Sequence, residues 1–131
     1  MNVEVDRLTQ EVNRVLGEFS QDVDEAVQKA TEEVGTLAVF RLRNSSPVRA
    51  GGSAAYARGW KLKKTTGNKH YYKVVVHNTQ YQLTHLLEYG HDIVRSGKVV
   101  GHANAQPHIA EVEKWVQDNI EGYIQGFLDK K

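Results

Sequence analysis

From Val5 to Leu42 apolar residues recur mostly three or four positions apart, through Leu8, Val12, Val15, Phe19, Val23, Ala26, Ala30, Val34 and Leu37. This spacing places them on one face of a helix, with Glu11, Glu18, Asp22, Glu25, Glu32 and Glu33 opposite. An amphipathic helix over residues 1–44 is therefore expected. Gly17 and Gly35 each weaken it by about 1 kcal/mol relative to alanine, and Ser20 offers a place to restart it after a break. Unbroken, it spans on the order of 55 Å at about 1.5 Å per residue, whereas a domain of this size has a radius of gyration of about 14 Å. Either the helix bends near Gly17 and folds back as a two-helix hairpin, or its N-terminal turns lie against another chain. The second reading is preferred.

Pro47 ends this pattern, because the residue before a proline is pushed out of the helical region. A flexible loop is expected over 45–58, since Ala50 to Ala55 are small and offer no apolar anchor. From Gly59 to Thr66 the period drops to two, with Trp60 and Leu62 facing one way and Lys61 and Lys63 the other. Gly67-Asn68 reads as a turn and Lys73 to Val76 as a second strand, giving an antiparallel hairpin over 59–78. Asn78-Thr79 is placed to cap a short helix over 79–90, with Tyr81, Leu83, Leu86, Leu87 and Tyr89 as its apolar body and Gly90 as a left-handed stop.

Residues 91–106 are polar and glycine-punctuated, and read as a long loop with one short strand at Val99-Val100. Pro107 suits the first turn of a final helix over 107–129, whose stripe runs through Ile109, Val112, Val116, Ile120, Ile124 and Phe127. Trp115 lies at the edge of that stripe. The expected fold is α+β: both long helices packed on a small antiparallel sheet, with a short helix after the second hairpin strand, in one domain over 1–131.

Composition adjusts this picture only slightly. At 131 residues the chain has room for one domain with a real core. Without cysteine it forms no disulfides, and with neither a signal-like segment nor an apolar run of about 18 residues, synthesis in the cytoplasm is expected. Net charge is only +1, but the charge is segregated: no acid lies between Glu33 and Glu88, where Arg41, Arg43, Arg49, Arg58, Lys61, Lys63, Lys64, Lys69 and Lys73 fall. Three readings follow: a phosphate-binding surface, faces that meet across an assembly, or a solvated sheet face.

Candidate chemistry is thin. His85 and Glu88 stand at i and i+3, but neither zinc-binding helix pattern is present; a loop that gathered His91, His102 and His108 remains the one route to a metal. The 50–55 loop lacks the lysine and hydroxyl of a phosphate loop, and Ser45, Ser46 and Ser53 lack an elbow signature. Glu88 is expected to pair with Arg58 or a lysine rather than act as a base. Lysines interleaved with Trp60, Tyr71 and Tyr72 suggest, as an alternative, a small nucleic-acid-binding protein using the basic hairpin.

Taken in order, Ser46-Pro47-Val48 with Gly51, Tyr56-Ala57-Arg58-Gly59-Trp60-Lys61, His77-Asn78 with Tyr81, Leu86-Leu87-Glu88-Tyr89-Gly90-His91 and Gln106-Pro107-His108-Ile109 resemble the small tail-component proteins of long-tailed bacteriophages, the tail-completion or neck proteins. The pattern departs from that family at Arg49-Ala50 and in the added Gly52 to Ala55. The resemblance implies an α+β virion protein without catalysis or cofactor, assembled in the host cytoplasm into a ring of six copies joining head to tail. It also implies neighbours: a head-tail connector or stopper protein, a tail terminator or tail tube protein, and DNA threading the ring without sequence-specific binding. Under this reading the contact surface falls on Arg49, Gly51, Gly52, Ser53, Tyr56, Arg58, Lys61, Lys63, Arg95 and Lys98. The frame is held by Pro47, Trp60, Asn78, Tyr81, Leu87, Glu88, Gly90 and Pro107.

Overall fold

In the computed structural model, residues 3–48, 54–68 and 71–130 are described, with side chains for 7–48, 54–65 and 72–130. The first amphipathic pattern forms one unbroken helix, α1 (Val3–Ser45), of 43 residues. It passes through Gly17 and Ser20 without a break, so the folded-back hairpin is not formed. At about 1.5 Å per residue it is roughly 64 Å long. Only its C-terminal half is covered: Ala26, Ala30, Val34, Ala38 and Leu42 are buried, four residues apart along one row. Small side chains in that row let α1 approach closely to what lies above it. A Cβ added at Gly35 would stand 2.9 Å from Leu62 Cδ1 and 3.1 Å from Val74 Cγ2.

Two layers cover that row. One is the hairpin β1 (Trp60–Asn68) and β2 (Tyr71–Asn78), antiparallel and paired from Trp60 with Asn78 to Asn68 with Tyr71, with one irregularity between Thr66 and Asn68. β1 runs through Gly67-Asn68, the expected turn, and residues 69–70 lie outside the described residues. The other is α4 (Ile109–Asp129), which packs along α1. Between them Ala38, Leu42, Tyr56, Trp60 and Val112 form the core, with Val39, Val76, Leu87, Ile109 and Val116 against it. On the hairpin Trp60 is buried and Lys61 and Lys63 are exposed, as the alternation requires, while Lys64, on the Trp60 side, is exposed beyond the core.

Three expectations need correction. The 45–58 loop contains a one-turn helix, α2 (Ala55–Arg58), and Tyr56 and Ala57 are buried by it. The short helix after β2 is α3 (Tyr81–Tyr89), but its supposed apolar body faces outward: Tyr81 and Tyr89 are each 69% exposed, Leu83 and Leu86 are exposed, and Leu87 alone of the five packs on the core. Residues 91–106 are not a loop. They form a second antiparallel hairpin, β3 (His91–Arg95) with β4 (Lys98–Ala103), in a sheet of its own. Its turn, Ser96-Gly97, has φ of 52° and 75°, the left-handed pair that a tight two-residue hairpin turn needs.

Candidate assembly interface

A buried polar junction sets the directions in which the surfaces of this molecule point. Ser46 closes α1: its N–H and its hydroxyl both donate to Leu42 O, and its Oγ accepts from Trp60 Nε1 at 2.8 Å. Pro47 follows half-buried and ends the helix. Arg43 Nη2 donates to Trp60 O at 2.8 Å, so α1 and β1 are joined at the same point. Asn78 works from the other strand end. Its Nδ2 donates to Tyr56 O and its Oδ1 accepts from Gln80 N, both at 2.8 Å, which ties α2 to the turn before α3. A Cβ at Gly59 would meet Asn78 Oδ1 at 2.6 Å, so this close approach needs glycine.

Glu88 sits in this junction, and the ion pair expected with Arg58 or a lysine is not formed. Its carboxylate is buried and accepts the backbone N–H groups of His108 (2.7 Å), Ile109 (2.9 Å) and Ala110 (3.0 Å). Those are orphan donors at the start of α4, so Glu88 caps a helix from twenty residues away and puts a negative charge at its positive end. No local side chain caps α4, which begins at Ile109 after His108, two residues later than expected, so Pro107 lies outside the helix. Burial pushes the Glu88 carboxyl up, but the three backbone bonds, with the His108 ring 3.2 Å away adding to them, hold the group below its ordinary value.

His108 is fully buried and completes the set. Its Nδ1 lies 2.8 Å from Gln106 O, which can only accept, so Nε2, 2.7 Å from Tyr56 Oη, takes the tyrosine proton in the neutral ring. Tyr56, Trp60 and His108 meet edge to face, with centroids 5.5 to 6.3 Å apart. Tyr56 is thus a core residue and not the partner contact its sequence position suggested. Burial pushes its hydroxyl up to about 12, with the charge of Glu88 adding to the shift. Gly90 takes φ 79° and ψ 171°, positive but extended, which is not the left-handed cap expected; a Cβ there would fall 2.7 Å from Ala103 O.

The remaining contact residues of the sequence reading scatter around this frame. Arg58 is exposed at the end of α2, Lys61 and Lys63 on the outer face of the hairpin, and Arg95 and Lys98 at the tip of β3–β4. Arg49, Gly51, Gly52 and Ser53 lie outside the described residues. The histidines do not converge: His102 pairs with Asp92 at 3.1 Å, His108 belongs to the junction, and among the described residues no three metal-ligating side chains gather. Across the molecule Glu32 accepts from Tyr72 Oη at 2.6 Å and stands 3.5 Å from Lys64 Nζ, so one acid of α1 meets the basic hairpin within the chain. No described helix is long and apolar enough to cross a membrane.

What stands out on the surface is apolar. Leu8, Val12, Val15, Leu16 and Phe19, on the N-terminal half of α1, are between 46% and 64% exposed. Tyr81 and Tyr89 on α3, and Val94, Val99 and Val100 on β3–β4, are similarly open. Sequence reasoning anticipated the first patch from the length of α1 and missed the third, although the Ser-Gly step between Ile93-Val94 and Val99-Val100 was its signal. Exposed apolar surface of this kind marks interaction sites. No curated protein and no solved structure matches the chain with significance. A family model does, described as "Bacteriophage HK97-gp10, putative tail-component", over residues 7–90, which takes in most of α1, α2, the β1–β2 hairpin and α3. The chain belongs to the HK97-gp10-like family of bacteriophage tail components.

Proposed function

We propose that the protein completes the phage neck, forming a ring, six copies in the reading from resemblance, that joins the head connector to the tail. Its role is structural. A connector or stopper protein lies on one side and a tail terminator or tube protein on the other, and DNA passes through the ring without base recognition. The observation that carries this reading is the apolar stripe from Leu8 to Phe19 on a helix that outruns its own core. A subunit that becomes covered only in its assembly leaves such a stripe open.

The test is complementation of a phage lacking this gene. Filled heads and separate tails should accumulate and join when purified protein is added. Phe19→Ser protein should melt close to the parent, because Phe19 is 64% exposed and outside the core, yet fail to join them. Deleting 49–55 tests the part played by that loop. Joined, infectious particles made without the protein would refute the proposal.

A further inference from the structure

Two surfaces of this chain are uncovered, differ in character and fit one another. We infer that the β3–β4 arm of one copy lies along the N-terminal half of α1 of the next, closing the ring head to tail; the inference rests on the assembly reading above.

The arm cannot stand by itself on physical grounds. A two-stranded ribbon is marginal in water unless a third element covers it. Here β3–β4 forms its own sheet, not joined to β1–β2, and its main contacts are within itself. Val94 and Val99 are cross-strand partners and so share one face, and both are more than half exposed. At the tip Arg95 pairs with Lys98, so the arm ends in two cations.

The exposed half of α1 answers each of these features. Leu8, Val12, Val15 and Phe19 are spaced four, three and four, a narrow seam suited to one slender partner. Eleven steps at about 1.5 Å give a seam of about 17 Å, and five strand residues at about 3.3 Å give the same length. Charge is opposite as well. The first 25 residues hold seven acids, Glu4, Asp6, Glu11, Glu18, Asp22, Asp24 and Glu25, against Arg7 and Arg14, and on the observed straight helix Glu11, Glu18 and Asp22, seven and four apart, flank the seam rather than lie behind it. A second α1 would bring acid onto acid, whereas the arm brings two cations.

Since the two surfaces are different parts of the chain, the contact is heterologous, the kind that generates a ring when its rotation closes. A strip about 17 Å long and about 10 Å wide is smaller than the roughly 800 Å² per partner of a stable pair. Each contact alone is therefore weak, and the set holds when repeated around a closed ring.

The chain has no cysteine, so introduced ones are its only thiols, and an immunoblot against this protein reads its cross-linked products. L16C, V99C and the double variant, all at exposed positions, are each supplied to the gene-deleted phage, and purified particles are treated with a short bis-maleimide. Circular dichroism first checks that each variant folds. The expected result is a ladder of cross-linked oligomers from the double variant and monomer from each single one. Particles that contain the double variant but yield no ladder would overturn the contact while leaving the neck reading intact, and dimers from L16C alone would show α1 pairing with α1 instead. Absence of the protein from joined particles would overturn the neck reading and the contact with it.

Discussion

Replacing Glu88 with glutamine tests whether one long-range carboxylate holds α4 in place. The side chain keeps its size, so no cavity is created and the change is electrostatic. In the native protein the two oxygens accept three backbone N–H groups, at 2.7, 2.9 and 3.0 Å. A hydrogen bond to a charged group contributes about 1.5–3 kcal/mol, against about 0.5–1.5 for a neutral one. Glutamine has one accepting oxygen and turns its NH2 toward a donor, so at least one helix N–H loses its partner in a buried place. The expected loss is about 3 kcal/mol, or roughly 10 °C in Tm for a chain of this length.

The pH dependence identifies the cause. The folded carboxyl lies below its ordinary value, so its contribution is fully present above the unfolded pKa of about 4.3 and is lost as pH falls through the folded one. Urea unfolding followed by circular dichroism should therefore show a gap between parent and Glu88→Gln protein that is full at pH 7 and shrinks steadily below about pH 4. A gap under about 0.5 kcal/mol at pH 7, or one that does not shrink in acid, would refute the capping argument.

Tyr56→Phe removes the hydroxyl that His108 receives and should cost about 1–2 kcal/mol in the same urea assay. The folded hydroxyl of the parent is raised to about 12, so its contribution is present below the unfolded value of about 10 and disappears as pH rises toward 12; the phenylalanine protein should lack that alkaline step. Gly90→Ala forces a Cβ to within 2.7 Å of Ala103 O at a positive φ, and should lower Tm by an amount equivalent to about 2–3 kcal/mol. Gly17→Ala meets nothing within 4 Å, and should raise helical content and stability by about 1 kcal/mol, measured by circular dichroism and thermal melting.

Where burial repeats with a local period, residue order alone carried the information. The stripe of α1 and the alternation of Trp60 and Leu62 against Lys61 and Lys63 are such cases, because side-chain direction there follows from helix or strand geometry. The same logic failed on α3, whose five apolar residues promised a buried body. A nine-residue helix at the edge of a small core has little to cover it, and only Leu87 found a partner. It failed on β3–β4 because two short strands of mixed character, whose register skips Val100 opposite Ile93-Val94, show no clean alternation.

The role of Glu88 illustrates the deeper limit. Beside a basic hairpin a carboxylate invites an ion pair, and charge alone cannot say that the nearest positive pole is the start of a helix twenty residues on. One hint was present: Gln106-Pro107-His108 opens α4 without a serine, threonine, aspartate or asparagine to cap it, so its donors had to be met from elsewhere. Likewise the burial of Tyr56 depends on His108 lying across from it, which no local pattern encodes. Periodicity thus told which faces of this chain are apolar and that α1 is too long for its own core. Which polar groups meet, and which apolar faces stay open for a neighbour, was settled only when segments distant in sequence came together, since hydrogen bonds and burial depend on position in space.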